Sequence, residues 1–151
     1  MKIYLAGPCS SEHRTFMVSV AKFLRNYEVE VYCPWEYKVD GDPWQLSQEE
    51  WGKAVFIADM AAIESSDIMI SISFGRISSC GTAFEQGYAF AKGIPVHVIQ
   101  VTNEPTSLMT YWGSTSFINS DKNYGGIKSE LRWILEHPHE NSHGRCRTVL
   151  T

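Results

Sequence analysis

"DIMISISFGRISSCGTAFEQGYAFAKGIPVHVIQV" (residues 67–101) reads as strand, loop, helix and strand. Residues 67–73 form a short apolar run, and residues 94–101 form another. Residues 81–92 between them carry a helical pattern that stops at Gly93, the residue type that closes helices in a left-handed conformation. "FGRISSCG" is the loop that leads into that helix. Both strand runs are apolar at successive positions rather than alternate ones. That is the signature of a parallel sheet covered on two faces.

The same alternation extends outward. "KIYLAG" (2–7) is a buried strand, ended by Gly7 and Pro8. In residues 11–27, Phe16, Val20, Phe23, Leu24 and Tyr27 recur at helical spacing. "EVEVYCP" (28–34) is a second strand, and Pro34 stops it. Residues 48–65 read as a helix with Trp51, Val55, Ala58 and Ala62 on one side. "TSLMTYWG" (106–113) gives one or two helical turns, "SFINS" (116–120) a fifth strand, and residues 126–136 a closing helix on Ile127, Leu131, Ile134 and Leu135. The expected fold class is α/β, a three-layer sandwich around a five-stranded parallel sheet, with ligands beyond the carboxyl ends of the strands. Residues 1–136 make one domain, and residues 137–151 a polar C-terminal tail. The three histidines of "HPHENSHGRCRTVLT" fit a poorly ordered terminus better than a metal site.

Composition narrows the function. The chain has 151 residues, 44% hydrophobic and 20% charged, which suits a folded globular domain. A net charge of −4 gives no grip on a nucleic acid polymer or a membrane surface. The apolar runs are too short to span a bilayer. The start, "MKIYLAGP", has no signal-peptide core, so the expected location is cytoplasmic. Cys9, Cys33, Cys80 and Cys146 form no C-x-x-C pair and read as reduced thiols. No histidine lies near Cys80 in sequence to activate it as a nucleophile. Neither G-x-G-x-x-G nor a P-loop is present, which removes the common dinucleotide and nucleotide triphosphate sites.

The chemistry should then lie at "YLAGPCSS", "SFGRISSCGT" and "TNEPTSLM", the segments after the first, third and fourth strands. Gly7 and Gly81 would let backbone approach a ligand, and free N–H groups near Gly81 suit an anion or a sugar oxygen. Glu85 lies one turn into that helix, offset from a packing stripe of Phe84, Tyr88 and Ala91. In a partly dry pocket it would be a nucleophile toward a sugar carbon; in solvent it would be an ordinary surface charge. Asp59, within the apolar "VFIADMAAI", is either a second carboxyl able to protonate a leaving group or half of an ion pair. In "WEYKVDGDPWQLSQ" (35–48), Trp35 and Trp44 either stack on a ligand or cover the core.

Taken together, "KIYLAGP", "ADMAAIESSDIMI", "CGTAFEQGYAFAKGIPV" and "SLMTYWG" resemble the nucleoside 2-deoxyribosyltransferase family over most of residues 2–118. The resemblance implies a flavodoxin-like fold and cleavage of the bond between base and deoxyribose, without metal or cofactor. It places the nucleophile at Glu85, the carboxyl that handles the base proton at Asp59, and the tyrosine that orients the nucleophile at Tyr4. It also implies a dimer-based oligomer whose active sites are shared. Two positions depart from the familiar transferases. An aspartate six residues before the nucleophile is here Ser79, and an asparagine lent by the neighbouring subunit is here Ser107. In both respects the sequence is similar to the deoxynucleoside 5′-monophosphate N-glycosidase branch, where serines hold a phosphate. Arg14 or Arg76 would add positive charge. The expected substrate is thus a deoxynucleotide or deoxynucleoside. Its rivals are base exchange on free deoxynucleosides and a nucleotide-binding module without catalysis.

Overall fold

The computed structural model describes residues 1–42, 44–75, 79–120, 127–144 and the backbone of 149–150; Arg76 and Cys146 lie outside these. In chain order the elements are β1 (Lys2–Ala6), α1 (Ser11–Arg25), β2 (Glu30–Tyr32), a 3-10 turn at Pro34–Glu36, α2 (Gln48–Glu64), β3 (Ile68–Ser73), α3 (Cys80–Ala91) and β4 (Val96–Gln100). There follow β5 (Thr106–Ser107), α4 (Leu108–Trp112), β6 (Ser116–Asn119), α5 (Lys128–Glu136), β7 (Ser142–His143) and β8 (Val149–Leu150). Among the described residues no helix is long and apolar enough to cross a membrane.

The main sheet has the order β2-β1-β3-β4-β6-β7, and every pairing is parallel. It has six strands, not five. The sixth, β7, comes from the segment read as a polar tail: Ser142 pairs with Ser116 and His143 with Phe117. Just ahead of it, fully buried His97 bridges Ser116 Oγ at 2.7 Å and the Pro138 carbonyl at 2.8 Å. Burial holds its pKa below the ordinary histidine value. The neutral ring then donates from Nε2 to the carbonyl and accepts at Nδ1. One buried histidine thus ties the chain after α5 back to the sheet, which a composition-based reading of a polar segment does not foresee.

Every residue of β3 and β4 is buried, as the doubly apolar strands require. On β1 the side chains alternate. Ile3 and Leu5 join the core under α1 and α5, with Met17, Val20, Leu24, Leu131 and Ile134. Tyr4 and Ala6 join the core under α2 and α3, with Ala62, Ile63 and Ala89. The alternation therefore delivers Tyr4 to the α2/α3 face. α2 opens with a capping box between Ser47 and Glu50. α3 ends on Gly93, at φ 73°, with the Ile94 N–H returning to the Ala89 carbonyl.

Two packing stripes differ from the sequence reading. In α3 the buried positions are Thr82, Gln86 and Ala89, while Phe84 is 56% exposed. Polar side chains occupy the core stripe because they are satisfied there: Gln86 Nε2 donates to Ser71 Oγ at 2.6 Å. In α2 only Asp59, Ala62 and Ile63 are buried, and Trp51 is 52% exposed. β1 and β2 beneath it are five and three residues long, so they cover only part of a 17-residue helix.

Candidate active site

Strand register builds the centre of the site. Tyr4 of β1 and Tyr32 of β2 are direct neighbours, and their rings stack with centroids 5.4 Å apart and 20° between planes. Each phenol reaches a carboxyl on a different helix. Tyr4 donates to Glu85 Oε1 of α3 at 2.9 Å, and Tyr32 donates to Asp59 Oδ1 of α2 at 2.8 Å. Two phenol–carboxyl pairs therefore lie side by side at the junction of two strands and two helices.

Their electrostatics follow from burial. Burial pushes the Glu85 pKa up to about 7; Tyr4's hydrogen bond opposes that rise and the neighbouring Asp59 carboxylate adds to it. Burial also raises the Asp59 pKa, and Tyr32's hydrogen bond pulls it back. Burial, followed by the charge of Glu85, drives the Tyr4 phenol far above its ordinary range, so it stays protonated and acts only as a donor. Tyr32 is held protonated by burial and by Asp59. Paired carboxyls with displaced affinities for protons are the arrangement that acid–base and nucleophilic chemistry needs near neutral pH.

The loop after β1 borders this pair. The Cys9 thiol is raised by burial and then by the Glu85 charge, while Arg14 opposes both. Arg14 donates to the Cys9 carbonyl at 3.0 Å and so pins that loop. At Gly7 a Cβ would meet the thioether end of Met17, so this glycine also packs against α1. Among the described residues, a Cβ at Gly81 would meet only Ser79 Oγ, at 4.0 Å. Trp35 packs, half-buried, against the core under α1 and α5, away from the face that carries Tyr4. Trp44 is 95% exposed and covers no core.

A cavity of about 470 Å³ opens between α3 and α4. Ser79, Thr82 and Gln86 line it from α3, and Ser107, Met109 and Trp112 from the segment around α4. Glu85, Asp59 and Tyr4 are not in its wall, and among the described residues no wall residue carries an ionisable side chain. The carboxyl groups of the phenol–carboxyl pairs lie near the cavity but outside that wall. Ser79 and Ser107 both face it within a single chain, each as a helix cap. Ser79 Oγ accepts from the Thr82 N–H and lies 2.8 Å from Thr82 Oγ1; Ser107 Oγ accepts from the Met109 N–H. Gly75, at φ 77°, sits at the rim where a Cβ would strike the Glu104 side chain and lie 3.1 Å from the Pro105 carbonyl oxygen.

Sequence reasoning brought forward Tyr4, Asp59, Glu85, Ser79 and Ser107. It missed Tyr32, Gln86 and Gly75. The tyrosine in "EVEVYCP" is visible, but nothing in either strand alone says that it stands opposite Tyr4. The glycine in "FGR" gives a signal only through its requirement for positive φ.

Comparisons with known proteins converge on one family. The family model "Nucleoside 2-deoxyribosyltransferase" matches residues 3–135. A nucleoside deoxyribosyltransferase of Lactobacillus johnsonii is 30% identical over 81 residues, 52% of this chain. The match spans about half of that relative's own length, 54%. The structure of a 2-deoxyribosyltransferase from Bacillus psychrosaccharolyticus superposes with a TM-score of 0.68 at 31% identity, covering 80% of this chain and 87% of the other. A conserved protein of Enterococcus faecalis V583 is similar at a TM-score of 0.56 and 28% identity, over 66% and 62% of the two chains. A CMP N-glycosidase of Clostridium botulinum shares the fold at 18% identity, with a TM-score of 0.57 over 90% and 99% of the chains. From the matched span, which holds both strand tyrosines and both carboxyls, the chain belongs to the nucleoside 2-deoxyribosyltransferase family.

Proposed function

We propose that this chain cleaves the N-glycosidic bond of 2′-deoxynucleoside 5′-monophosphates, or of 2′-deoxynucleosides, through a deoxyribosyl ester on Glu85. The observation that carries this reading is the pairing of Tyr4 with Glu85 beside that of Tyr32 with Asp59. Tyr4 occupies Oε1, which leaves Oε2 of ionised Glu85 to attack the anomeric carbon. As the Oε2–C1′ bond forms, the C1′–N bond breaks, and Asp59 passes its proton to the departing base. Water or a second base then displaces Glu85 with Asp59 accepting a proton, so configuration at C1′ is retained. Deoxyribose has no 2′-hydroxyl to withdraw electrons, which makes the cationic transition state accessible.

The 5′ end lies in the cavity at the tip of α3. Ser107 keeps its O–H free because Oγ already accepts from the Met109 N–H, and the Ser79–Thr82 pair has one proton left to donate outward. The hydroxyl donors among the described wall residues suit a phosphate, where a carboxylate would repel it. Incubating a deoxynucleoside 5′-monophosphate and its nucleoside side by side, with and without acceptor base, tests the substrate. We expect base release from the monophosphate at least about tenfold faster, the effect of one good charge-assisted contact. Base exchange confined to the free nucleoside would replace this reading with the transferase one. Binding without turnover of either would leave a nucleotide-binding module.

The active unit is a dimer-based oligomer; because Ser79 and Ser107 meet at one cavity within a single chain, Ser107 need not come from the partner. Phe90, Met109 and Trp112 line the cavity yet are 62, 83 and 66% exposed, more apolar surface than a monomer usually leaves at one place. Sedimentation at micromolar concentration should give a dimer or a multiple of it, and a monomer would overturn that assembly. The free thiols of Cys9, Cys33 and Cys80 fit a cytoplasmic location.

A further inference from the structure

We propose that Tyr32 is a positioning residue for Asp59, fixing its carboxyl for proton exchange with the base. The proposal rests on the glycosidic reading above. Its foundation is geometric. Tyr32 is the register partner of Tyr4, its ring stacks on the Tyr4 ring, and its hydroxyl holds Asp59 Oδ1 at 2.8 Å. One carboxyl oxygen is thereby fixed on the sheet, and Oδ2 alone is left to exchange a proton. Because the two rings stack, Asp59 and Glu85 are each held by one member of the same aromatic pair, which sets their separation.

The second consequence concerns the proton. Asp59 is 8% exposed, and burial favours its neutral form. A phenol O–H donated to the carboxylate favours the ionised form. The other titratable groups around the pair are Tyr4 from β1, Glu85 from α3 and Cys9 from the loop after β1, with Tyr37 beyond Tyr32. Arg14 acts on this cluster at Cys9, while the proton of Asp59 is governed by burial and the Tyr32 hydrogen bond, so removing the Tyr32 hydroxyl leaves burial unopposed. Asp59 then holds its proton to higher pH. Glu85 feels less negative charge from Asp59 and loses its own proton at lower pH.

The test is Tyr32→Phe, read in two ways. By carbon-13 NMR of labelled aspartate, the Asp59 midpoint should rise by about one pH unit, the equivalent of one lost hydrogen bond. This readout needs no turnover, so it stands even if the glycosidic reading fails. In kcat/KM against pH, the limb reporting loss of the acid form should move up by a similar amount and the limb reporting Glu85 should move down. The maximal rate should fall about tenfold, within the range of a mispositioned general acid. A fluorotyrosine at position 32 keeps the ring and strengthens the donor, so it should shift the Asp59 midpoint downward; it serves as well if the phenylalanine variant folds poorly. An Asp59 midpoint unmoved by either change would overturn the proposal. Absence of all turnover in the unmodified protein, with the midpoint shifting as described, would overturn the glycosidic reading and leave Tyr32 as the group that sets Asp59.

Discussion

Glu85→Gln is expected to cut base release by about 10⁴-fold or more and, at the same time, to stabilise the fold above neutral pH. The first effect follows from chemistry: an amide cannot form the glycosyl ester, and removing a covalent nucleophile is among the largest single losses in enzymes. The second follows from burial. The Glu85 pKa is raised to about 7, so the folded protein holds this proton more tightly than the unfolded chain does. Its stabilising contribution is fully present below the ordinary glutamate range and is lost as pH rises through about 7. Glutamine keeps an acceptor for the Tyr4 phenol and never ionises. Melting temperatures of the two proteins should coincide at about pH 4 and diverge in favour of the variant at about pH 8. Turnover that survives the substitution would remove Glu85 from the mechanism. An unchanged melting temperature at the higher pH would mean that the side chain is solvated.

Asp59→Asn should divide substrates by their leaving group. Asparagine can still accept from Tyr32 at Oδ1, so the pocket geometry persists, but it has no acidic proton. Release of an ordinary base should fall by about 10²–10⁴-fold, the usual worth of a general acid. A deoxyribosyl substrate with a nitrophenolate leaving group needs no proton and should lose less than about tenfold. Equal losses on both substrates would make Asp59 a structural carboxyl. Paired with the nitrophenyl substrate, this variant separates the proton step from attack by Glu85.

The layout of the fold was readable because parallel strands and their helices leave an unmistakable alternation. The run from "DIMISIS" through "GIPVHVIQV" alone defines one strand–helix–strand unit. Glu85 and Asp59 stood out as carboxylates in otherwise apolar stretches, and the structure brings them side by side, each bonded to a strand tyrosine. What could not be read is whatever depends on register between distant strands. Tyr32 has meaning only once β2 lies beside β1. Phe84 looked like core because it is apolar, and Gln86 did not because it is polar. In the structure a hydrogen bond to Ser71 reverses their places. The packing of Gly7 against the Met17 thioether was not visible in sequence either. β7 was hidden in a polar segment because the bonds that hold it come from the backbone and from His97.

The Tyr4–Glu85 bond joins positions 81 residues apart, and β1 reaches its place only by inserting between β2 and β3. Contacts so distant along the chain close late, after local helices and neighbouring strands have formed. A partly folded chain can therefore own α3 and its carboxylate without the phenol that aims it. The two phenol–carboxyl pairs therefore come into being together, only once the sheet is complete.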